Sequence, residues 1–149
     1  MGMFSSMDVA ASGLTAQRFR MDTVSSNIAN ADTTRERLVN GVWQPYRRKM
    51  VHIKTIDSSF QSAFRQALGS SAGGVEVSHV TEDPSPFPQK YDPADPDADA
   101  NGFVRQPNVD PLREMVDLME ANRSYDAGVT VMNASKSMLS RALDIGRQG

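Results

Sequence analysis

Asp97-Ala-Asp99-Ala-Asn101-Gly102 places side-chain oxygens at alternate positions and ends on a glycine, as the first half of an EF-hand calcium loop does. The second half of such a loop is missing. Its twelfth position is Asn108, which offers no bidentate carboxylate, and prolines stand where the flanking helices belong. The better reading is a turn held by its own Asx side chains. His52 and His79 are the only histidines, and their separation suggests no metal pair. No serine lies in a Gly-x-Ser-x-Gly elbow, and no glycine-rich loop is built to cradle phosphate. With zero cysteines there is no disulfide framework, thiolate zinc site or cysteine nucleophile. The residues predict no catalytic, cofactor-binding or metal site, and hence a protein that is not an enzyme.

Composition narrows the classes further. A chain of 149 residues holds one ordinary domain or two small modules. Its apolar fraction of 39% makes for a thin independent core. A net charge of -2 gives no electrostatic case for nucleic acid. No run of 18 apolar residues predicts a membrane span. The first thirty residues lack the charged and apolar regions of a secretory signal, so export would need another route.

What remains is the elements that position side chains for packing. From Phe4 to Ile28 there is no proline, and Met7, Leu14, Met21 and Ile28 fall seven apart. That repeat predicts a helix that packs on helices. Ser5 with Asp8 three residues later suggests a capping box at its start. Small residues such as Ala10, Gly13, Ala16 and Ala29 allow close approach on several faces. At the other end, Asp110-Pro111 supplies an N-cap and a first-turn proline. A stripe of Met115, Leu118, Tyr125, Val129, Met132, Leu139 and Leu143 follows, interrupted by Asn122 and Lys136, with Gly146 at the expected stop. Gly128 inside this helix suggests close backbone approach. Helices of this length need each other, and then a partner.

The middle differs. Tyr46–Ile56 predicts a strand, with Val51 and Ile53 alternating against His52 and Lys54, and Val75, Val77 and Val80 predict a second. Arg47, Arg48 and Lys49 read as a solvated strand edge. Phe60, Phe64, Ala67 and Leu68 suggest a short helical turn. Between Asp83 and Pro111 lie seven of the eight prolines, which predicts an extended connection. The expected fold is therefore mainly α with a small β-containing middle. Residues 1–31 and 110–149 pair as a coiled-coil-like inner domain, 32–82 form a small β-containing outer domain, and 83–109 form a proline- and aspartate-rich excursion.

Several motifs resemble a known family. Ser12-Gly-Leu-Thr-Ala-Gln-Arg18 and Ser26-Asn-Ile-Ala-Asn30 are similar to the N-terminal signature of bacterial flagellar rod, hook and axial proteins. Ala31-Asp-Thr-Thr-Arg35, Tyr46-Arg-Arg-Lys-Met-Val51, Glu82-Asp-Pro-Ser-Pro86, Tyr91-Asp-Pro93, Pro96-Asp-Ala-Asp99 and Pro107-Asn-Val109 resemble the proximal-rod branch. So do Glu120-Ala-Asn-Arg-Ser-Tyr125 and Asn133-Ala-Ser-Lys-Ser-Met138. Gly128 departs from the pattern, where a longer polar residue is expected, and so does the insert around Glu36–Gln44.

The resemblance implies a structural subunit that polymerises through its terminal helices into a helical tube and transmits motor torque. It adds Asn27 and Asn30 to the stripe residues as assembly positions. It implies as partners further copies of the chain, the proximal and distal rod subunits, hook–basal-body adaptor proteins and the flagellar type III export apparatus, with no nucleic acid and no small-molecule substrate. It places the protein in the basal body, in the periplasmic space, exported without a cleaved signal. A soluble coiled-coil oligomerisation or adaptor module is the competing reading, since the same stripe would serve it.

Overall fold

Nothing between positions 3 and 29 breaks a helix, and the terminal stretch forms one of 27 residues, α1 (Met3–Ala29). Ser5 therefore lies inside the helix and not at its cap, because no breaker separates it from Met3. The computed structural model describes residues 3–39, 41–56 and 73–147. After α1 come β1 (Arg37–Val39), β2 (Val42–Gln44), β3 (Lys49–Thr55), β4 (Val75–Glu82), β5 (Gln89–Tyr91) and β6 (Phe103–Arg105), then α2 (Pro111–Arg147) of 37 residues. Mainly helical ends around a small β-containing middle match the expected class. No helix among the described residues is long and apolar enough to cross a membrane.

Both helix ends follow local chemistry. At the close of α1 the Asn30 side chain donates to the Ser26 carbonyl at 2.8 Å, satisfying one of the last-turn acceptors. At the start of α2 the Asp110 carboxylate accepts the N–H of Leu112 at 3.0 Å and of Arg113 at 3.4 Å, as the Asp-Pro pair predicts. Gly146 does not stop α2, which continues to Arg147.

Among the described residues the strands form three two-stranded ribbons: β1 with β2, β3 with β4, and β5 with β6. The β3 and β4 segments are the two that alternation predicts. The β1–β2 hairpin falls in the insert the sequence reading left without structure. Its signal is Asn40-Gly41 between Leu38-Val39 and Val42-Trp43, a two-residue hairpin dipeptide. Val39 pairs Val42 across it, and Gly41 has φ +80°. Segment 83–109, expected to be extended, is not extended throughout. Gln89 pairs Arg105 and Tyr91 pairs Phe103 in an antiparallel hairpin. Its turn is held by Asp99, whose Oδ1 accepts the N–H of Asn101 at 2.9 Å and of Phe103 at 3.0 Å. The turn expected of Asx side chains is thus formed. Gly102, with φ +80°, admits the Tyr91 ring where a Cβ would stand 3.0 Å from it. The proposed helical turn at Phe60, Phe64, Ala67 and Leu68 lies outside the described residues.

The chain divides into two compact units. One gathers Met1–Met21, His52–His79 and Glu120–Gly149; the other gathers Asp22–Val51 and Val80–Met119.

Candidate assembly site

The second unit is organised by a polar cluster where apolar packing is the usual rule. Asn27 and Glu114 are both 0% exposed. Removing such groups from water is costly unless each atom is paired. Here each is. Asn27 Nδ2 donates to the Lys49 carbonyl at 2.9 Å and to Glu114 Oε2 at 2.8 Å. Asn27 Oδ1 accepts the Tyr46 hydroxyl and the Lys49 N–H, each at 3.0 Å. Glu114 Oε1 accepts Arg48 Nε at 2.6 Å. Asn27 thus ties the end of α1 to the first residue of β3 and to the first turn of α2.

Arg48 extends the cluster. Its Nη2 reaches Asp117 at 3.3 Å, its Nη1 lies 3.8 Å from Asp83, and its backbone N–H donates to Asn108 Oδ1 at 2.8 Å. Arg47 donates to the carbonyl of Asp83 at 2.9 Å and lies over the Phe87 ring at 4.3 Å. Lys49 Nζ sits 5.1 Å from the Tyr46 ring centre. The basic cluster is therefore no solvated edge. It faces carboxylates and rings supplied by segments distant in sequence, which residue counting along the chain does not reveal. The Asp83 carboxyl is held below its ordinary range by the Ser85 hydroxyl first, then by the Ser85 N–H and the nearby guanidinium of Arg48.

A second ion pair joins Arg35 to Asp97, with Thr34 donating to the same carboxylate at 2.8 Å. These hydrogen bonds, Arg35 first, pull the Asp97 carboxyl down and raise the Arg35 guanidinium. The Asp99 carboxyl is lowered by the backbone N–H groups of Phe103 and Asn101. The oxygens that resembled calcium ligands are thus used by the chain itself.

In the first unit the contacts are close and mostly made by small residues. Ser12 Oγ donates to the Val9 carbonyl at 2.7 Å and accepts the Val75 N–H at 3.1 Å. A Cβ at Gly74 would stand 2.6 Å from that hydroxyl oxygen, so the backbone just before β4 passes close against Ser12 of α1. A Cβ at Gly128 would come within 2.9 Å of Leu14 Cδ2, the close approach its position predicts.

The predicted stripe residues divide. Met7, Leu14, Met21 and Ile28 are half-buried along α1. On α2, Leu118, Tyr125, Val129, Met132 and Leu139 are half-buried, whereas Met115, Asn122 and Leu143 are exposed. The inward face instead alternates Leu118, Tyr125, Met132 and Leu139 with Glu114, Ala121, Gly128 and Ser135. Those companions are one residue earlier than Met115, Asn122 and Val129. They escaped the apolar pattern because they are small or polar. Asn27 is the centre of the cluster above, and Asn30 closes α1.

A family model described as "Flagella basal body rod protein" matches residues 7–35. A second, described as "Flagellar basal body rod FlgEFG protein C-terminal", matches residues 100–145. Among relatives, the flagellar basal-body rod protein FlgC of Bacillus subtilis is 57% identical over 150 residues, covering 99% of this chain and 100% of that protein. FlgC of Borreliella burgdorferi is 43% identical, covering 97% of this chain and 98% of its own. FlgC of Salmonella typhimurium is 40% identical, covering 99% of this chain and 100% of its own. With such identity along nearly the whole of each chain, the protein belongs to the FlgC family of flagellar basal-body rod proteins.

Proposed function

We propose that this chain is a structural subunit of the flagellar basal-body rod, assembled with other rod components, and not an enzyme. The observation that carries the assembly reading lies on α2. Opposite its inward face, Leu112, Val116 and Met119 in the second unit, and Met138 and Ile145 in the first, are all more than half exposed. Large exposed apolar side chains sharing one side of a helix mark an interaction surface.

On this reading the terminal segments 1–31 and 110–149 pair and form the inner, polymerising part. Segments 32–82 and 83–109 form the outer part. Contacts between unlike surfaces of successive copies generate an open helical tube, and long helices spread torque over a wide area. The partners are further copies of the chain, neighbouring proximal and distal rod subunits and hook–basal-body adaptors. Delivery is through the flagellar type III apparatus to the periplasmic space.

The test is complementation. In a strain lacking its own copy of this subunit, the chain should restore complete basal bodies by electron microscopy, together with swimming. Met138→Asp should be synthesised at normal levels and restore neither. Normal swimming of that variant would overturn the assigned surface.

A further inference from the structure

The chain holds two Asn-Gly steps, at positions 40–41 and 101–102. Asparagine is thermolabile, and in a flexible chain it is most so before glycine. The glycine nitrogen, unshielded by side-chain bulk, attacks the asparagine side-chain carbonyl carbon. A succinimide ring closes, and the side-chain amide leaves as ammonia, carrying the proton lost by the glycine nitrogen. Water then opens the ring at either carbonyl, leaving an aspartyl or an isoaspartyl link. The sequence of steps needs water alone, with no oxidant and no enzyme.

At Asn101-Gly102 the fold supplies the electrophile and withholds the nucleophile. Asn101 is exposed, and its side-chain amide makes no hydrogen bond among the described residues. The Gly102 N–H, in contrast, donates to the Asp99 carbonyl at 2.9 Å, and the Gly102 carbonyl accepts the Asp92 N–H at 2.9 Å. The peptides on both sides of Gly102 are therefore fixed. The loop is closed further by the Asp99 N–H, which donates to the Phe103 carbonyl at 2.9 Å. Asp99 Oδ1 in turn accepts the N–H groups of Asn101 and Phe103. This is the bonding of a three-residue hairpin loop ending on a left-handed glycine, and Gly102 has φ +80°. The Tyr91 ring and Pro93 lie 3.0 and 3.2 Å from where a Gly102 Cβ would stand, which leaves its peptides little room to rotate.

We propose that Asn101 is a conditional deamidation site, silent while the β5–β6 turn is closed and converted to an aspartyl or isoaspartyl residue when it opens. Conversion locks the turn open. An isoaspartyl link lengthens the loop backbone by a methylene, and either product adds a carboxylate beside Asp97 and Asp99. The site is independent of the rod reading.

Peptide mapping of the full-length chain reads the reaction directly. Trypsin releases Tyr91–Arg105, in which Asn101 is the only side-chain amide, so an amide-to-acid mass increase is assigned to it. The chain is held at neutral pH, folded in one sample and in urea in the other. The folded sample should convert at least about tenfold more slowly, because the turn must open first. That slowing should be no smaller than the hydrogen-exchange protection of the Gly102 amide, since both need its N–H released from Asp99. Asp99→Ala, which frees the amides of Asn101 and Phe103, should speed conversion in the folded chain by about tenfold. Unchanged helix content by circular dichroism shows that this variant is folded; if it is not, the two samples of the parent chain decide. Equal rates in those two samples would overturn the gate. So would a folded Asp99→Ala chain that converts no faster than the parent. No conversion in urea would overturn the site itself.

Discussion

The cluster around Asn27 and Glu114 and the packing around Gly128 solve opposite problems. In the first, two fully buried polar side chains have both their oxygens and nitrogens paired inside the chain. In the second, among the described residues, the buried ones are the small Ala16, Ala121 and Ser135, one carbonyl oxygen is unpaired, and every residue of α2 from Ser140 to Arg147 is exposed. A buried ionic group left half-paired costs several kcal/mol, so the chain must complete it alone. An apolar face can wait, since its stabilisation of roughly 25 cal/mol per Å² is gained whenever it is covered. The polar cluster fixes the subunit; on the proposed assembly reading, the apolar helix face is left for a neighbour.

The strongest way to break this contrast is Glu114→Ala. It leaves Arg48 Nε and one Asn27 N–H without their partner, while Arg48 keeps Asp117 and Asp83, and should destabilise the monomer by about 2–4 kcal/mol. Urea unfolding of the purified chain measures it, and a loss under about 1 kcal/mol would mean the cluster does not hold the fold. Met138→Asp should do the reverse, leaving the unfolding midpoint in place while preventing assembly.

Gly128→Val tests the close approach to Leu14. Overpacking there should cost about 1–3 kcal/mol, whereas Gly13→Ala, with open space at its Cβ, should be neutral or stabilising by up to about 1 kcal/mol. Gly41→Ala should cost about 1 kcal/mol through its positive φ, with the effect confined to the β1–β2 hairpin.

The smallest effect is on pH dependence. The Asp83, Asp97 and Asp99 carboxyls are lowered in the folded chain. Each therefore contributes stability that is fully present above the ordinary carboxylate pKa of about 4 and is lost as pH falls through the lower folded value. The amide resonances of Asn101 and Phe103 should hold steady down to about pH 4 and move only below it. Movement beginning near pH 6 would contradict this assignment.

Much of the scaffold was legible in the sequence. Proline-free runs gave both helices, Asp110-Pro111 gave a true cap, and alternation gave β3 and β4. The β1–β2 hairpin was also legible, through Asn40-Gly41, but its strands are only three residues each and too short for alternation to register. The polar cluster was not legible. Its members lie far apart along the chain, and nothing local distinguishes Glu114 from the exposed Glu120. The inward face of α2 was half legible. A heptad count finds Leu118, Tyr125, Met132 and Leu139, but then reads Met115 and Asn122 as their companions where the fold uses Glu114 and Ala121.

The most direct test is hydrogen exchange at single-residue resolution, on the purified chain and on isolated rods. In the free chain, amides of α1 near Asn27 and of α2 near Asp117 should be protected, while those from Ser140 to Arg147 exchange freely; in the rod the latter become protected as well. Equal protection along the whole of α2 in the free chain would contradict the division into a region finished alone and one finished by assembly.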